Sequence, residues 1–552
     1  MNSHALHVVV LGLSLHFGFS GFAVAAEQLA QAKTAQEGSP QKSEVLLSTS
    51  KALLEPVPGS PQATNSLPTA IALRPDGKYL AILNNGYGTE EANYRQSIAL
   101  LDTTTGDLRD FPDERLPVGA KQTYFIGLAW SSDGQKLYAS IASMSDPEGA
   151  KPGDLGNGIA VYNFADGALK PEGFLKLPLV KLASGTRFGY GRKNVPQGEA
   201  IPYPAGLAVV KGEHGDMLLV AENLADDAML LDATSGEVLK RFPLAQRQKY
   251  VPSAFPYAVI TSRDGRRAWC SLWNASRIAE LDLRSGQVVR TIAVAPPAEA
   301  TGASSHPTAM ILSPDEKQIY VAVANRDRIA VIATDASHKP VRYLETTLPG
   351  QVYGGSYPDA LALSPDGSTL YAANASSDAI AVFDLRRSAP ATAKHASPDY
   401  FIPTEWYPTA LAIRDSELLV VTGKGKGTGP NSGWQPNPRN GKRQHQYIAT
   451  LLHGSIARVN LAEAARDREA LTREAVESNR IEGRSGQISF QGGGNRINHV
   501  IYVIKENRTY DQIFGDIQEA NGDPSLVMYG EDITPNEHKL ARQFGVLDNF
   551  YD

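Results

Sequence analysis

Near the end of the chain, Glu506 and Asn507 stand side by side directly after an apolar run, Val500 to Ile504. A carboxylate and an amide oxygen on adjacent residues are the hard oxygen donors that a divalent cation takes. Their place adds to the chemistry. Val500–Ile504 reads as a buried strand running straight into polar residues, and ligand sites in α/β domains form at the carboxyl ends of strands. Thr509 is suited to capping a helix that follows, or to standing behind the two donors. Spacing alone leaves a plainer reading open, a strand followed by an exposed polar turn.

A second stretch with chemical potential is Gly423 to Gln446, which holds Lys424, Lys426, Arg439, Lys442 and Arg443 and no acid. It reads either as a solvated loop or as a positive arm facing an anionic substrate or an acidic neighbour. Gly423-Lys424-Gly425-Lys426-Gly427-Thr428 is no phosphate loop, because that motif places Ser or Thr directly after Gly-Lys. His306 and His445 are lone histidines, more simply structural than ligating. The single cysteine, Cys270, excludes a disulfide framework and a multi-cysteine metal site, and reads as a small buried apolar residue in a strand.

These residues hang on a repeating scaffold. Prolines 204, 256, 307, 358 and 408 recur at steps of 52, 51, 51 and 50, and two earlier copies begin at Pro68 and near Ile126. That makes seven units, and a fixed period of this size marks stacked or radial repeats. In each unit an alternating apolar segment ends at a turn such as Pro365-Asp366-Gly367, where glycine supplies the positive φ of a tight hairpin. A second β-rich run follows (Leu370 to Asn374), then a third (Ala379 to Asp384), and usually a fourth. Four antiparallel strands per unit predict an all-β, seven-bladed β-propeller over residues 61–460. The units resemble the YVTN family of bacterial β-propellers, through Ser364-Pro365-Asp366-Gly367 with Leu370-Tyr371-Ala372-Ala373-Asn374, and through Ile319 to Asn325. That resemblance implies the architecture and little about activity. Extra sequence at Ser143–Asn157 and Ser184–Pro202 must form long surface loops. A propeller enzyme of the lactonase or quinoprotein kind needs acids and histidines converging on the central channel, and the repeats show no such cluster.

The flanks have their own grammar. Leu6 to Val24 is a short apolar run before Ala23-Val24-Ala25-Ala26, which reads as a signal peptide over residues 1–26, although no Lys or Arg precedes the run. The expected location is therefore periplasmic or secreted. Later segments never approach the ~18 unbroken apolar residues of a membrane span. A formal net charge of −6 gives no global attraction for nucleic acid. Residues 27–60 are polar, with Val45–Leu54 the candidate for an outer strand that closes the ring. Residues 461–496 read as a helix, Asn460 to Arg480, capped by Asn460 with Glu463 at the box position, and then a glycine-rich linker at Gly492–Gly494.

Residues 497–552 resemble the opening of the bacterial phosphoesterases that include acid phosphatases and phospholipase C enzymes, relatives of the alkaline-phosphatase superfamily. The match runs through Glu506-Asn507-Arg508-Thr509-Tyr510-Asp511, then Asn521 to Ser525, Thr534-Pro535-Asn536 and Leu547 to Tyr551. The resemblance implies a truncated α/β domain start, with Glu506 and Asn507 as ligands of a divalent metal ion and a phosphate ester as substrate. It also implies that the hydroxyl nucleophile and remaining ligands lie beyond Asp552, so this polypeptide by itself is expected to be inert. Two functions follow as expectations. One is an exported metal-dependent phosphoesterase with the propeller as docking module. The other is a non-enzymatic envelope propeller that binds a protein or polymer.

Overall fold

The computed structural model describes residues 42–49, 51–117, 119–190, 194–245, 249–295, 304–335, 341–386, 395–428, 434–436, 443–481 and 497–548, with the backbone alone at 395, 434–436 and 443–445. Residues 43–47 and 51–482 form one unit, and residues from 483 onward belong to another.

The first unit is a seven-bladed β-propeller of antiparallel sheets. Its inner strands are Pro68–Leu73, Thr123–Trp130, Pro204–Lys211, Pro256–Thr261, Pro307–Leu312, Pro358–Leu363 and Trp406–Arg414. Blade five shows the plan, with Pro307–Leu312, Gln318–Val323, Arg328–Ala333 and Arg342–Glu345 in order. In blades one, two, four, five and six the turn after the inner strand is held by its own aspartate, Asp76, Asp133, Asp264, Asp315 or Asp366. Asp366 accepts from the Ser364 hydroxyl at 2.6 Å and the Ser368 N–H at 3.0 Å, and these bonds hold its carboxyl at about 2.

Second strands are apolar on both faces because each face meets a neighbouring blade. In Asp216–Glu222, Leu218 and Val220 pack with Tyr138, Ile159 and Val161 of blade two. Leu219 and Ala221 pack on the other side with Ala268 and Cys270 of blade four. Cys270 is fully buried there, as its sequence context suggested.

The inner strands pack one against the next, and the seventh returns to the first, where the Thr409 hydroxyl donates to the Pro68 carbonyl at 2.7 Å. The closing strand is Gln62–Ala63, paired with Ser455 and Ile456 of blade seven, and not Val45–Leu54. The reason is local: Ser43–Leu46 already has a partner in Ala52–Glu55, which it meets through a short hairpin. Blade five also gains an unforeseen fifth strand, His395–Ala396, parallel to Arg342–Glu345.

Asn460 caps the helix after the ring, its side-chain oxygen accepting from Ala462 and Glu463 N–H at 3.0 Å each. The helical stretch breaks at Asp467 into Leu461–Arg466 and Arg468–Ser478. The longer piece covers the outer strand of blade six, Tyr400–Pro403, and Phe401 N–H donates to the Thr472 hydroxyl at 3.0 Å. An edge strand is thereby shielded from pairing with other chains.

In the second unit the helices are Tyr510–Phe514 and Pro535–Phe544. They are tied together by His538, which is fully buried, 2.8 Å from an Asp516 oxygen and 2.9 Å from the Thr534 carbonyl. Val500–Ile504 forms no strand and is exposed, with Val500 at 74% and Ile504 at 73%. Its sequence has the pattern of a buried strand, but the described residues 497–548 contain no other strand to pair with it, and an unpaired strand leaves its backbone groups to water.

Candidate functional site

Glu506 and Asn507 are both exposed on the turn between that apolar segment and the helix Tyr510–Phe514. Asn507 has φ 70°, the left-handed conformation that turns the chain sharply there. Thr509 occupies the N-cap of the helix, and its N–H donates to the Gln512 side chain at 3.3 Å. Among the described residues, no group of three His, Cys, Asp or Glu is placed to hold a metal ion. Among the described residues the two exposed neighbouring donors stand without further carboxylate, imidazole or thiol partners gathered around them.

The basic stretch is partly engaged within the fold. The Lys424 ammonium lies 4.5 Å from the centre of the Trp406 ring and 4.6 Å from that of Tyr407, and burial lowers its pKa. Lys426 pairs with Glu55. Arg443 sits in a short strand, Arg443–His445, paired with Trp434–Pro436, while Arg439 and Lys442 lie outside the described residues.

A different constellation forms at one mouth of the ring. Six of the seven inner strands start with a repeat proline or, in blade seven, reach one two residues in, and the residue before each proline is Leu67, Tyr203, Phe255, His306, Tyr357 or Tyr407. All six have φ between 47° and 69°, a left-handed conformation that is doubly costly before proline. Aspartates from the preceding blade brace three of them. Asp226 accepts from Phe255 N–H at 3.0 Å, Asp327 from Tyr357 N–H at 2.9 Å, and Asp378 from Tyr407 N–H at 2.9 Å. In every blade the pairing register then slips just after the strand begins. Such bulges re-aim side chains and gather near functional sites.

What these bulges deliver is a cluster around Asp359, the residue after Pro358. Tyr257 of blade four feels the charge of Asp359, Tyr357 and Tyr407, and Tyr407 of blade seven feels Asp359 and Tyr357. Blade four is not a neighbour of blades six and seven, so these interactions cross the central channel. All four side chains are half-buried, consistent with lining a passage and not a sealed core. Burial raises the Asp359 carboxyl to about 6, opposed only by a hydrogen bond from Thr308. Burial likewise raises Tyr257, and Tyr407 to about 12. His306 stacks on Trp273 with ring centres 3.5 Å apart, and its Nδ1 has no hydrogen-bond partner among the described residues.

The strand directions place this mouth on the same face as the connections between blades and between second and third strands. The insertion around 143–157 and the described parts of those around 184–202 and 423–446 therefore leave the ring on that face. The sequence reading looks for a cluster of acids and histidines in the repeats, and one acid near the channel is not singled out there. That acid is Asp359, in the company of tyrosines and not of histidines. The signal was available in the repeat, in the variable residues on either side of each aligned proline.

Comparison with known proteins agrees with the architecture. Residues 218–395 match the family described as "Lactonase, 7-bladed beta-propeller", a segment that contains Asp359 and spans roughly a third of the chain. No curated protein matches. Solved structures include the periplasmic gluconolactonase of Pseudomonas aeruginosa, at 19% identity over 61% of this chain and 85% of that one, TM-score 0.43. A putative 6-phosphogluconolactonase of Bacteroides fragilis matches at 17% identity over 63% and 87%, TM-score 0.42. Hydrazine synthase of Kuenenia stuttgartiensis matches at 16% identity over 70% and 96%, TM-score 0.44. The chain is a seven-bladed β-propeller protein, with its lactonase-type likeness concentrated in blades three to six.

Proposed function

We propose that this chain serves an exported phosphoesterase, with residues 497–552 contributing to its catalytic part and the ring holding part of the substrate or a partner. The observation that carries this reading is the layout of residues 500–514. An apolar segment of strand pattern lies uncovered, then come Glu506 and the left-handed Asn507, then Thr509 starts a helix. Apolar segment, turn and helix follow one another in the order that the resemblance to the phosphoesterases implies, although the apolar segment is not paired as a strand among the described residues. The apolar start of the chain supports export, and among the described residues no helix is long and apolar enough to cross a membrane. The test begins by reading the coding DNA past codon 552 and expressing the continued frame. A chromogenic phosphate monoester is then assayed with and without chelator, in the parent and in Glu506→Gln and Asn507→Ala variants. Loss of about tenfold or more in either variant, at least what disturbing a ligand's supporting partners brings, supports the reading. Full turnover in both, or no turnover in the completed parent, rejects it.

A second reading is favoured by the match over 218–395. Asp359, at about 6, is poised as a general base for water attacking a cyclic ester in the channel. A pH-stat assay of the 552-residue chain on a sugar lactone, with Asp359→Asn as control, decides it. Acid release that survives the substitution excludes Asp359 from that role.

A further inference from the structure

We propose that two neighbouring loops on the mouth face, those carrying Arg187 and Tyr250, form a docking platform for single-stranded nucleic acid. This is independent of both functional readings above. The composition is local and unusual for this chain. Arg187-Phe188-Gly189-Tyr190-Gly191-Arg192-Lys193 and Arg247-Gln248-Lys249-Tyr250 interleave cations with aromatic rings and contain no acid. Arg192, Lys193 and Arg247 lie outside the described residues and are left out of the platform. Residues 180–202 hold a single acid, Glu199, which sits at the base of its loop opposite Lys181. The net charge of −6 belongs to the whole chain, whereas a bound strand meets the charges within about 10 Å of it, because salt screens the rest.

The fold turns that composition into a surface. The first loop pairs in parallel with the connection between blades three and four, Arg187 opposite Tyr250 and Phe188 opposite Val251. The Arg187 N–H donates to the Lys249 carbonyl at 2.9 Å, and the Gly189 N–H to the Val251 carbonyl at 2.7 Å. Side chains alternate between the two faces of such a pair. Phe188 and Val251 pack into the core between blades two and three, so Arg187 and Tyr250 stand next to each other on the outer face. Arg187 is exposed, and Tyr250 is 47% exposed. Lys249 is exposed too, its ammonium 5.7 Å from the centre of the Tyr250 ring. Tyr190, also 47% exposed, extends the aromatic surface, its ring centre 5.8 Å from that of Phe188. Among the described residues neither Arg187 nor Lys249 is paired with a carboxylate. Exposed rings beside unpaired cations are what a single strand takes, its bases stacking on the rings while its phosphates meet the cations. An anionic bilayer would also attract the cations, but it draws in apolar side chains such as Phe and Leu, and the Phe188 ring is turned into the core.

The test is fluorescence anisotropy of the full 552-residue chain with a labelled oligothymidine of about 12 nucleotides, read between about 50 and 200 mM salt. Comparators are the same backbone with abasic sites, heparin, and phosphatidylglycerol vesicles. Saturable binding of the oligothymidine is expected, at least about tenfold tighter than that of the abasic strand. Tyr250→Ala should weaken it by about tenfold, while Tyr250→Phe, which keeps the ring, binds like the parent. Replacing Arg187 and Lys249 together by Ala should lower the slope of log affinity against log salt by about 1.4, the share of two phosphate contacts on a single strand. Thermal melts confirm that the variants are folded. Absence of oligothymidine binding overturns the proposal. So does equal affinity for the abasic strand or heparin, stronger uptake on the vesicles, or affinity in Tyr250→Ala within about twofold of the parent.

Discussion

Glu222 ends the second strand of blade three, fully buried, with neither carboxyl oxygen hydrogen-bonded. Burial raises its pKa well above the ordinary 4.5, and the neighbouring Asp227 charge adds to that, opposed by Arg241. The folded chain therefore holds the Glu222 proton at pH values where the unfolded chain has released it. Unfolding then releases a proton, so stability is greatest below about 4.5 and falls as pH rises toward the folded value. The slope for one group is about 1.4 kcal/mol per pH unit inside that window. Glu222→Gln keeps the shape and removes the titration. Urea unfolding of parent and variant at half-unit steps upward from pH 5 should show the variant gaining on the parent as pH rises, by up to about 1.4 kcal/mol per unit while the pH stays below the folded value. Taking the difference cancels every other titrating group. Parallel curves would mean that Glu222 finds a partner or water in solution and is not stored as a neutral acid.

Three further outcomes are expected. Tyr162→Phe removes the hydroxyl that meets Asp113 and Tyr124 and accepts from Arg115 at 2.8 Å between blades one and two; it should cost about 1–3 kcal/mol in urea unfolding. Gly127→Ala places a Cβ 2.3 Å from the Ala205 carbonyl of the next blade's inner strand, forcing blades two and three apart at a cost of about 1–3 kcal/mol, read as a lower melting temperature. His538→Ala cuts the link between Asp516 and Thr534, at a cost of about 1–3 kcal/mol to the C-terminal helices. Limited proteolysis should then cleave after residue 510 sooner while the ring stays intact.

How much of this was legible in the sequence depended on the reach of the interaction. The blade turns were legible because Asp366 bonds residues two positions away. The helix cap at Asn460 was legible for the same reason. The ring-closing strand was not, because Gln62 and Val45 both lie in polar surroundings and only the free edge at Ser455 chooses between them. Val500–Ile504 carries the pattern of a strand, but a strand is a property of pairs, and the described partners are missing.

The sequence by itself determined the number of blades, their order and the places where extra loops leave the ring, since each follows from a period and from turn residues acting locally. Only the tertiary structure decided that Tyr257, Tyr357, Asp359 and Tyr407 come within reach of one another's charge. They are brought together by closure of the ring and by the bulges after each inner-strand start, and closure is a global condition on seven sheets that no single repeat expresses.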